Sequence, residues 1–465
     1  MKPGIISLTC LLLFSVSAAC ATGLPPSVQA DLDQAGIPDS HVGIVVWPLD
    51  RDQPQLALNA EQPFPPASTM KLLTSLAALD LLGPAWHWQT EVWHDGTLHD
   101  GTLDGNLYLR GNGDPGFTDE RLWLLLHELR LDGLQTIHGD LIIDQNRFQS
   151  ALAAPFDDHP LRAYNGLPAA TLLDFGSSTV RIDSRDGHSL LDVDPLPAGA
   201  RLDNRIHVDH AACGDWRERI HTGWQPESGV LRFDGDWSDQ CPQSQFAITL
   251  HNPSALLGPA FITGWQQQGG TIDGTWREGT VAPDAQLLAS FPSLPLATLL
   301  GDMNKFSNNV MARNLFLSLA TDTPATPASA ATALQHWLHS HGLSMPELVI
   351  DNGSGLSRSA RISPLDMARL LRQATRSALW PEFAASLPIA AVDGTMRHRL
   401  RDTPVAGHAH VKTGTLTGVK TIAGYVTLAD GRRVIVVFFI DDAHAANGAA
   451  AQEALLSAIY SGLPE

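Results

Sequence analysis

Three short motifs, spread over most of the chain, constrain its fold more than any other feature of the sequence. Ser68 and Lys71 form S-x-x-K, Ser307 and Asn309 form S-x-N, and Lys412 opens K-T-G. Each motif places a hydroxyl near an amine or an amide, so the set can build a serine acyl-transfer site without histidine. Any one of them can occur by chance, but the three in this order predict that both ends of the chain meet in one site.

Lysine usage adds weight to two of these positions. The chain has 30 basic residues, and only five of them are lysines. Arginine stays protonated in proteins, whereas a buried lysine can lose its proton and act as a base. Lys71 and Lys412 therefore stand out in a chain that uses arginine for most of its positive charge.

The composition bounds the class of protein. A chain of 465 residues is too long for one ordinary core and predicts two or three domains. Its 44% hydrophobic and 17% charged residues are typical of a globular protein. The formal net charge of −19 argues against nucleic acid and anionic membrane surfaces as partners.

The N-terminal sequence is typical of a secretory signal. Lys2 precedes a short apolar run over residues 5–16, and residues 19–21 offer a small-residue cleavage site. We therefore predict a signal peptide over residues 1–21 and a periplasmic location, with a lipid anchor at Cys20 as the alternative. No later run is long and apolar enough to span a bilayer.

Export would place the mature chain in an oxidising compartment, where disulfides persist. Cys10 and Cys20 lie in or beside the signal, which leaves Cys213 and Cys241. We expect these two to form a disulfide that stabilises the fold by about 3 kcal/mol in the loop-entropy model. Two free thiols are the alternative.

Local patterns place the motifs on secondary structure. Residues 71–82 have a helical apolar face that ends at Gly83, so Ser68 lies at a helix N-terminus with Lys71 one turn further on. K-T-G is expected on an edge strand, where its glycine lets a substrate backbone approach. Other helices are predicted over 120–131, 295–303, 308–319, 331–341, 364–375 and 449–460, with a Pro/Ala-rich break at 323–330. Strands are predicted over 42–47, 55–58, 141–143, 422–428 and 433–440.

The middle of the chain differs in composition from its ends. A small repeat at 94–105 contains Asp-Gly steps, which are typical of hairpin turns. Residues 178–273 are rich in Pro, Gly and Trp and predict short strands and loops, with no long helix. The middle is therefore an insertion within the domain that carries the motifs. Its histidines and aspartates have no convincing metal spacing, and we expect neither a metal nor a cofactor.

The chemistry of the motif residues suggests a separate catalytic role for each. The Ser68 hydroxyl needs a base within hydrogen-bond reach, and Lys71 can serve if burial and the nearby Lys412 neutralise it. Ser307 can relay a proton to the leaving amine. Asn309 can hold the substrate amide or the Lys71 side chain. The plainer alternative makes Ser68 a helix cap and Lys71 a surface charge.

The K-T-G strand suggests how a substrate is held. Thr413 and Thr415 can bind a terminal carboxylate, and Gly414 leaves room for a substrate backbone. The backbone N–H groups of Thr415 and Ser68 are our candidates for the oxyanion hole.

On these residues the chain resembles the class C low-molecular-mass penicillin-binding proteins, the D-alanyl-D-alanine carboxypeptidase/endopeptidase family. The resemblance rests on several segments and spans nearly the whole mature chain. The matching segments are PASTMKLLTSLAALDLLG, LYLRGNGDP, GDLIIDQNRF, NKFSNNVMARN, DNGSGLSR, AVDGTM and VKTGTLTGVKTIAGYV.

The resemblance implies an α/β (α+β) fold. Its transpeptidase-like domain has a five-stranded antiparallel sheet covered by helices, and the insertion folds as two smaller β-rich domains. The boundaries expected from it are 22–88 with 284–465 for the catalytic domain, 89–175 with 251–283 for inserted domain II, and 176–250 for nested domain III.

The resemblance also implies an activity and two further site residues. Family members hydrolyse D-Ala-D-Ala termini or D-Ala-diaminopimelate cross-links of peptidoglycan stem peptides, and β-lactams acylate them. Asp144 and Arg358 match positions near the pocket for the diaminopimelate side chain. For Asp144 the alternative is that it caps a strand.

Two other functions remain open from the sequence. A β-lactamase would need a positioned water and a carboxylate base, and no E-x-x-x-N-like element supplies them. A catalytically silent peptidoglycan-binding protein would not need the intact set of Ser68, Lys71, Ser307 and Lys412.

Overall fold

The computed structural model describes residues 23–149, 155–250 and 252–463. The predicted signal peptide and Cys20 lie outside the described residues. Among the residues described, no helix has both the length and the apolar character to cross a membrane.

Within these ranges the structure contains helices and strands along the whole chain. The α-helices are α1 Pro26–Ala35, α2 Met70–Leu82, α3 Asp119–Leu131, α4 Ser254–Gln267, α5 Leu296–Lys305, α6 Asn309–Ser318, α7 Pro327–Ser340, α8 Pro364–Ala374, α9 Trp380–Ala385 and α10 Ala449–Ser461. The strands are β1 Val42–Pro48, β2 Leu56–Leu58, β3 Gln89–His94, β4 Thr97–His99, β5 Thr102–Asp104, β6 Leu107–Gly111, β7 Thr136–Ile137, β8 Leu141–Asp144, β9 Ser178–Arg185, β10 His188–Asp194, β11 Arg201–Asp209, β12 Ile220–Gln225, β13 Val230–Ser238, β14 Ser244–Ile248, β15 Thr271–Ile272, β16 Trp276–Glu278, β17 Gln286–Pro292, β18 Ala409–Leu416, β19 Val419–Thr427 and β20 Arg433–Asp441.

A five-stranded antiparallel sheet joins the two ends of the chain. Its strand order is β18-β19-β20-β1-β2, so the N-terminal β1 pairs with the C-terminal β20. Every residue of β1 is buried, because helices cover both faces of the sheet. A strand covered on both faces reads as a continuous apolar run rather than an alternating one. The predicted sheet and its helical covering are confirmed.

Helix α2 runs through the core beside this sheet. All ten residues from Met70 to Leu79 are buried, so the helix is enclosed on every side rather than on one face. It packs against α5, α6 and α7. The S-x-x-K motif therefore lies at the start of a helix that packing holds in place on every side.

The inserted region has its own sheets and cores. Strands β16-β8-β6-β3-β17 and β15-β7-β5-β4 form two sheets that pack with α3 and α4 around one core. Strands β10-β9-β14 and β11-β13-β12 form two further sheets around a second core. The predicted β-rich insertion is confirmed, whereas its domain boundaries stay a prediction.

The predicted disulfide is present. Cys213 and Cys241 are bonded within the second inserted core, with their Cα atoms 5.0 Å apart.

Two secondary-structure predictions were wrong. The 14-residue helix α4 lies where we expected no long helix, because Gly258, Pro259 and Gly264 interrupt its helical pattern. Gly258 allows close packing: a Cβ there would lie 2.3 Å from the Trp276 ring. Helix α7 begins at Pro327, inside the expected break, because Thr326 caps it and proline fits the first helical position.

Candidate active site

Ser68 and Lys71 lie together at the start of α2. Ser68 belongs to a single 3-10 turn, Ala67–Thr69, that leads directly into the helix. The Nζ of Lys71 lies 2.9 Å from the Ser68 Oγ. The Lys71 side chain is completely buried, which argues against the alternative that it is a surface charge.

Two further contacts fix the direction of the Lys71 amine. Its Nζ donates to the Asn309 Oδ1 at 2.7 Å and to the Ser354 carbonyl at 2.7 Å. A neutral amine has two N–H donors and one lone pair. Because the amide oxygen and the carbonyl can only accept, the lone pair of neutral Lys71 faces the Ser68 hydroxyl.

The electrostatic environment favours that neutral form. Burial lowers the pKa of Lys71 well below its usual value, and the charges of Lys412 and Arg313 lower it further. Neither Lys71 nor Lys412 has a carboxylate within ion-pair distance among the described residues. A desolvated amine without a counter-ion gives up its proton readily.

Ser307 bridges the second and third motifs. It precedes α6 with a left-handed φ of 59°, an uncommon conformation for a residue other than glycine. The Nζ of Lys412 donates to the Ser307 Oγ at 2.7 Å and to the Thr413 carbonyl at 2.9 Å. Burial lowers the pKa of Lys412 to about 7.

The K-T-G strand lies directly against the reactive serine. β18 is the edge strand of the main sheet, as predicted, and a Cβ on Gly414 would lie only 2.8 Å from the Ser68 backbone nitrogen. The Thr413 hydroxyl donates to Thr395, and Thr415 is exposed at the strand edge. A backbone that approaches this closely requires glycine.

The structure separates Asp144 and Arg358 from these motif contacts. The Asp144 side chain is 2% exposed, and its carboxylate accepts from the backbone N–H groups of Asn146 and Val281, at 2.8 and 3.0 Å. This placement favours the capping alternative for Asp144, and its substrate role stays a prediction. The exposed Arg358 has its guanidinium 4.0 Å from the centre of the Phe156 ring.

Sequence reasoning missed several groups at the site. Ser354 contributes its carbonyl, and Tyr164 of the insertion accepts from the Asn309 Nδ2 at 3.3 Å. Arg313, one helical turn after Asn309, donates to the Gly166 carbonyl. DNGSGLSR contains Ser354, and NKFSNNVMARN contains Arg313, but a backbone acceptor leaves no signature in the sequence.

Space for a ligand adjoins the second motif. A cavity of about 510 Å³ is lined by Ser307 and Asn309 from the catalytic side and by Tyr164, Asp174 and Thr179 from the insertion. The described residues contain no group of three or more His, Cys, Asp or Glu side chains placed to hold a metal ion.

The fold and the site are those of a serine peptidase whose hydroxyl faces a lysine instead of a histidine. The chain belongs to the D-Ala-D-Ala carboxypeptidase 3 (S13) family, whose model matches residues 24–459. The family recognised in the sequence is thereby confirmed, and with it the expected enzyme class, a serine-type D-Ala-D-Ala carboxypeptidase.

Characterised relatives match over most of their length. The chain is 28% identical to the D-alanyl-D-alanine carboxypeptidase DacB of Haemophilus influenzae, covering 92% of this chain and 91% of that protein. It is 30% identical to the D-alanyl-D-alanine carboxypeptidase of Actinomadura sp. strain R39, covering 90% and 81%.

A solved structure supports the same fold. The crystal structure of penicillin binding protein 4 (dacB) from Haemophilus influenzae has a TM-score of 0.80 at 25% identity, covering 93% of this chain and 99% of that chain. A structure of that protein complexed with a β-lactam has a TM-score of 0.75 at 25% identity, covering 94% and 99%.

Proposed function

We propose that this enzyme hydrolyses D-Ala-D-Ala termini of peptidoglycan stem peptides through an acyl-enzyme on Ser68. The observation that carries the proposal is the orientation of the Lys71 amine. The Asn309 Oδ1 and the Ser354 carbonyl accept its N–H groups, so the lone pair of a neutral Lys71 faces the Ser68 Oγ, which lies 2.9 Å from the Nζ. Family membership supplies the substrate class.

The proposed reaction uses this arrangement in four steps. Lys71 takes the Ser68 proton while the Oγ attacks the carbonyl carbon of the penultimate D-Ala. The tetrahedral oxyanion lies between the backbone N–H groups of Ser68 and Thr415, where positioned donors stabilise the developing charge. The proton that Lys71 took passes by way of the Ser307 hydroxyl to the departing amine as the C–N bond breaks, which leaves Lys71 neutral again. Lys71 then accepts a proton from the water that attacks the ester and returns it to the Ser68 Oγ, so the peptide is released and Ser68 is restored.

The third motif binds the substrate. A protonated Lys412 offers a positive charge to the terminal carboxylate of D-Ala, and Thr413 and Thr415 offer hydroxyl donors. The two lysines thus differ in role, because Lys71 works when neutral and Lys412 works when charged.

β-Lactams are the expected covalent inhibitors. They present a strained amide and a carboxylate to the same groups, and a relative has been solved in complex with one. A β-lactamase remains the second candidate function. It would require rapid deacylation, so multiple turnover of penicillin would favour it.

Two finer assignments belong to the proposal. Cleavage of D-Ala-diaminopimelate cross-links would use the same acylation step with Arg358 near the substrate side chain. A periplasmic location would give the enzyme access to peptidoglycan, its proposed substrate, and an oxidising compartment suits the disulfide.

The test combines labelling with product analysis. Purified wild-type protein incubated with stem pentapeptide should release D-Ala, and fluorescent penicillin should add one label to the peptide that contains Ser68. Ser68→Ala should lose both, whereas Ser228→Ala, an exposed serine in the nested region, should retain both. Labelling at another residue, or label-free wild-type protein, would overturn the proposal. Unchanged D-Ala release by Ser68→Ala would do the same.

A further inference from the structure

A segment of the insertion contacts Asn309 of the second motif. Residues 155–166, which we call the strap, contact both the end of β14 and helix α6. Near the middle of the strap, the Leu161 carbonyl accepts a hydrogen bond from the backbone N–H of Thr249, and Arg162 forms an isolated antiparallel β-bridge with Ile248. At its end, the Tyr164 carbonyl accepts from the Asn309 side chain, and the Gly166 carbonyl accepts from Arg313.

One carboxylate holds the strap in shape. Asp157 accepts three hydrogen bonds from within the segment, namely from the Tyr164 hydroxyl at 2.7 Å, the Asn165 Nδ2 at 3.2 Å and the His159 N–H at 3.1 Å. Asn165 is almost completely buried, and its Oδ1 accepts a hydrogen bond from the Phe156 N–H. The half-buried cluster thus fixes the residue whose carbonyl contacts Asn309.

That contact decides which way the Asn309 amide points. A carbonyl can only accept, so the Nδ2 must face Tyr164 and the Oδ1 must face Lys71. If the amide turned over, its Nδ2 would donate to the Lys71 lone pair, and that lone pair would no longer be free for Ser68. The orientation of one amide therefore determines whether Lys71 can act as a base.

We propose that Asp157 is a positioning residue for acylation: by locking the strap, it keeps the Tyr164 carbonyl on Asn309 and leaves the Lys71 lone pair to Ser68. The inference rests on the proposed function, and it assigns the insertion a direct part in the chemistry. It predicts that loosening the strap slows acylation without unfolding the enzyme.

The chain provides a closely matched control. Asp95, at the end of β3, also accepts from a tyrosine hydroxyl, an asparagine side chain and a backbone N–H. The donors are Tyr108 and Asn106, and none of the hydrogen bonds in this cluster reaches α6 within the described residues. Asp157→Ala and Asp95→Ala therefore remove equivalent networks at different places.

The experiment measures acylation by a simple penicillin under saturating and subsaturating conditions. Asp157→Ala should lower the limiting acylation rate by about tenfold with little change in half-saturation, while Asp95→Ala stays near wild type. In an Asn309→Ala background, Asp157→Ala should cost less than about twofold, because the amide it positions is gone. If either aspartate variant fails to fold, Tyr164→Phe and Tyr108→Phe make the same comparison with one hydroxyl each.

The outcomes separate the two claims. Equal acylation by Asp157→Ala and wild type would overturn the strap inference, as would an equal loss with and without Asn309. An equal loss in Asp95→Ala and Asp157→Ala would also overturn it, because the effect would then not depend on the strap. No acylation of wild type would instead overturn the proposed function.

Discussion

The centre around Ser68 and the inserted sheets of strands β9–β14 differ in how their charged side chains are paired. In the centre, Lys71 and Lys412 are fully buried and have no carboxylate partner among the described residues. In the nested sheets, pairs such as Arg181 with Asp192 lie at the surface with both side chains about half exposed. Exposed ion pairs contribute little to stability, whereas a buried unpaired amine costs the fold free energy and changes its own pKa. The contrast indicates that the two buried lysines lower the stability of the fold and are retained for their chemistry.

Lys71→Arg is expected to have the largest effect, because it restores a permanent charge to the buried centre. Arginine keeps the positive charge but cannot give up its proton, so the second-order rate of penicillin acylation should fall by about a thousandfold or more. Stopped-flow acylation measures the loss, and thermal unfolding shows whether the protein still folds. Retention of most activity would remove Lys71 as the base.

The next largest effect concerns backbone approach. Gly414→Ala places a Cβ 2.3 Å from the Thr421 Oγ1 and 2.8 Å from the Ser68 nitrogen, so β18 must move away from the reactive serine. We expect kcat/KM to fall by about a hundredfold, because small misplacements in a site are costly. Gly223→Ala in β12 is the matched control, since a Cβ there meets nothing within 4 Å. Equal activities of the two variants would contradict the close approach.

The two buried lysines also predict a pH dependence. The pKa of Lys412 is about 7, so its charge is present below that pH and is lost as pH rises through it. For substrates with a terminal carboxylate, kcat/KM should fall by up to about tenfold per pH unit above that point. Lys412→Arg keeps its charge and should lose this alkaline limb, with a moderate loss in carboxylate binding. An alkaline limb that survives the substitution would have to come from another group.

The smallest expected effects concern side-chain selectivity. Arg358→Ala should lower kcat/KM for diaminopimelate peptides by roughly tenfold and leave penicillin acylation almost unchanged.

Asp144→Ala distinguishes a substrate-binding role of this carboxylate from a capping role. A substrate role predicts the same selective loss, whereas capping predicts unfolding that is easier by about 1–3 kcal/mol, because two buried N–H groups lose their acceptor. Peptide kinetics and chemical denaturation together distinguish them.

The elements that carry the motifs could be predicted from the amino-acid sequence. The unbroken apolar runs of β1 and β20, and the stop at Gly83 after α2, are local signals, and the structure follows them closely. The order of the three motifs also indicated that the chain ends meet. The sequence did not predict helix α4, because Gly258 allows close packing against Trp276 and Gly264 against Leu126, and local periodicity does not record these contacts.

The orientation of the Lys71 amine, by contrast, depends on tertiary contacts. The two acceptors that turn the Lys71 lone pair toward Ser68 lie 238 and 283 residues away in sequence. One of them is the carbonyl of Ser354, and the orientation of the other depends on the carbonyl of Tyr164. Every residue has a backbone carbonyl, so its position is set by the fold and not by the identity of the side chain. The sequence therefore predicts the nucleophile and its base, and the packing of distant backbone around them sets the orientation of the Lys71 amine relative to Ser68.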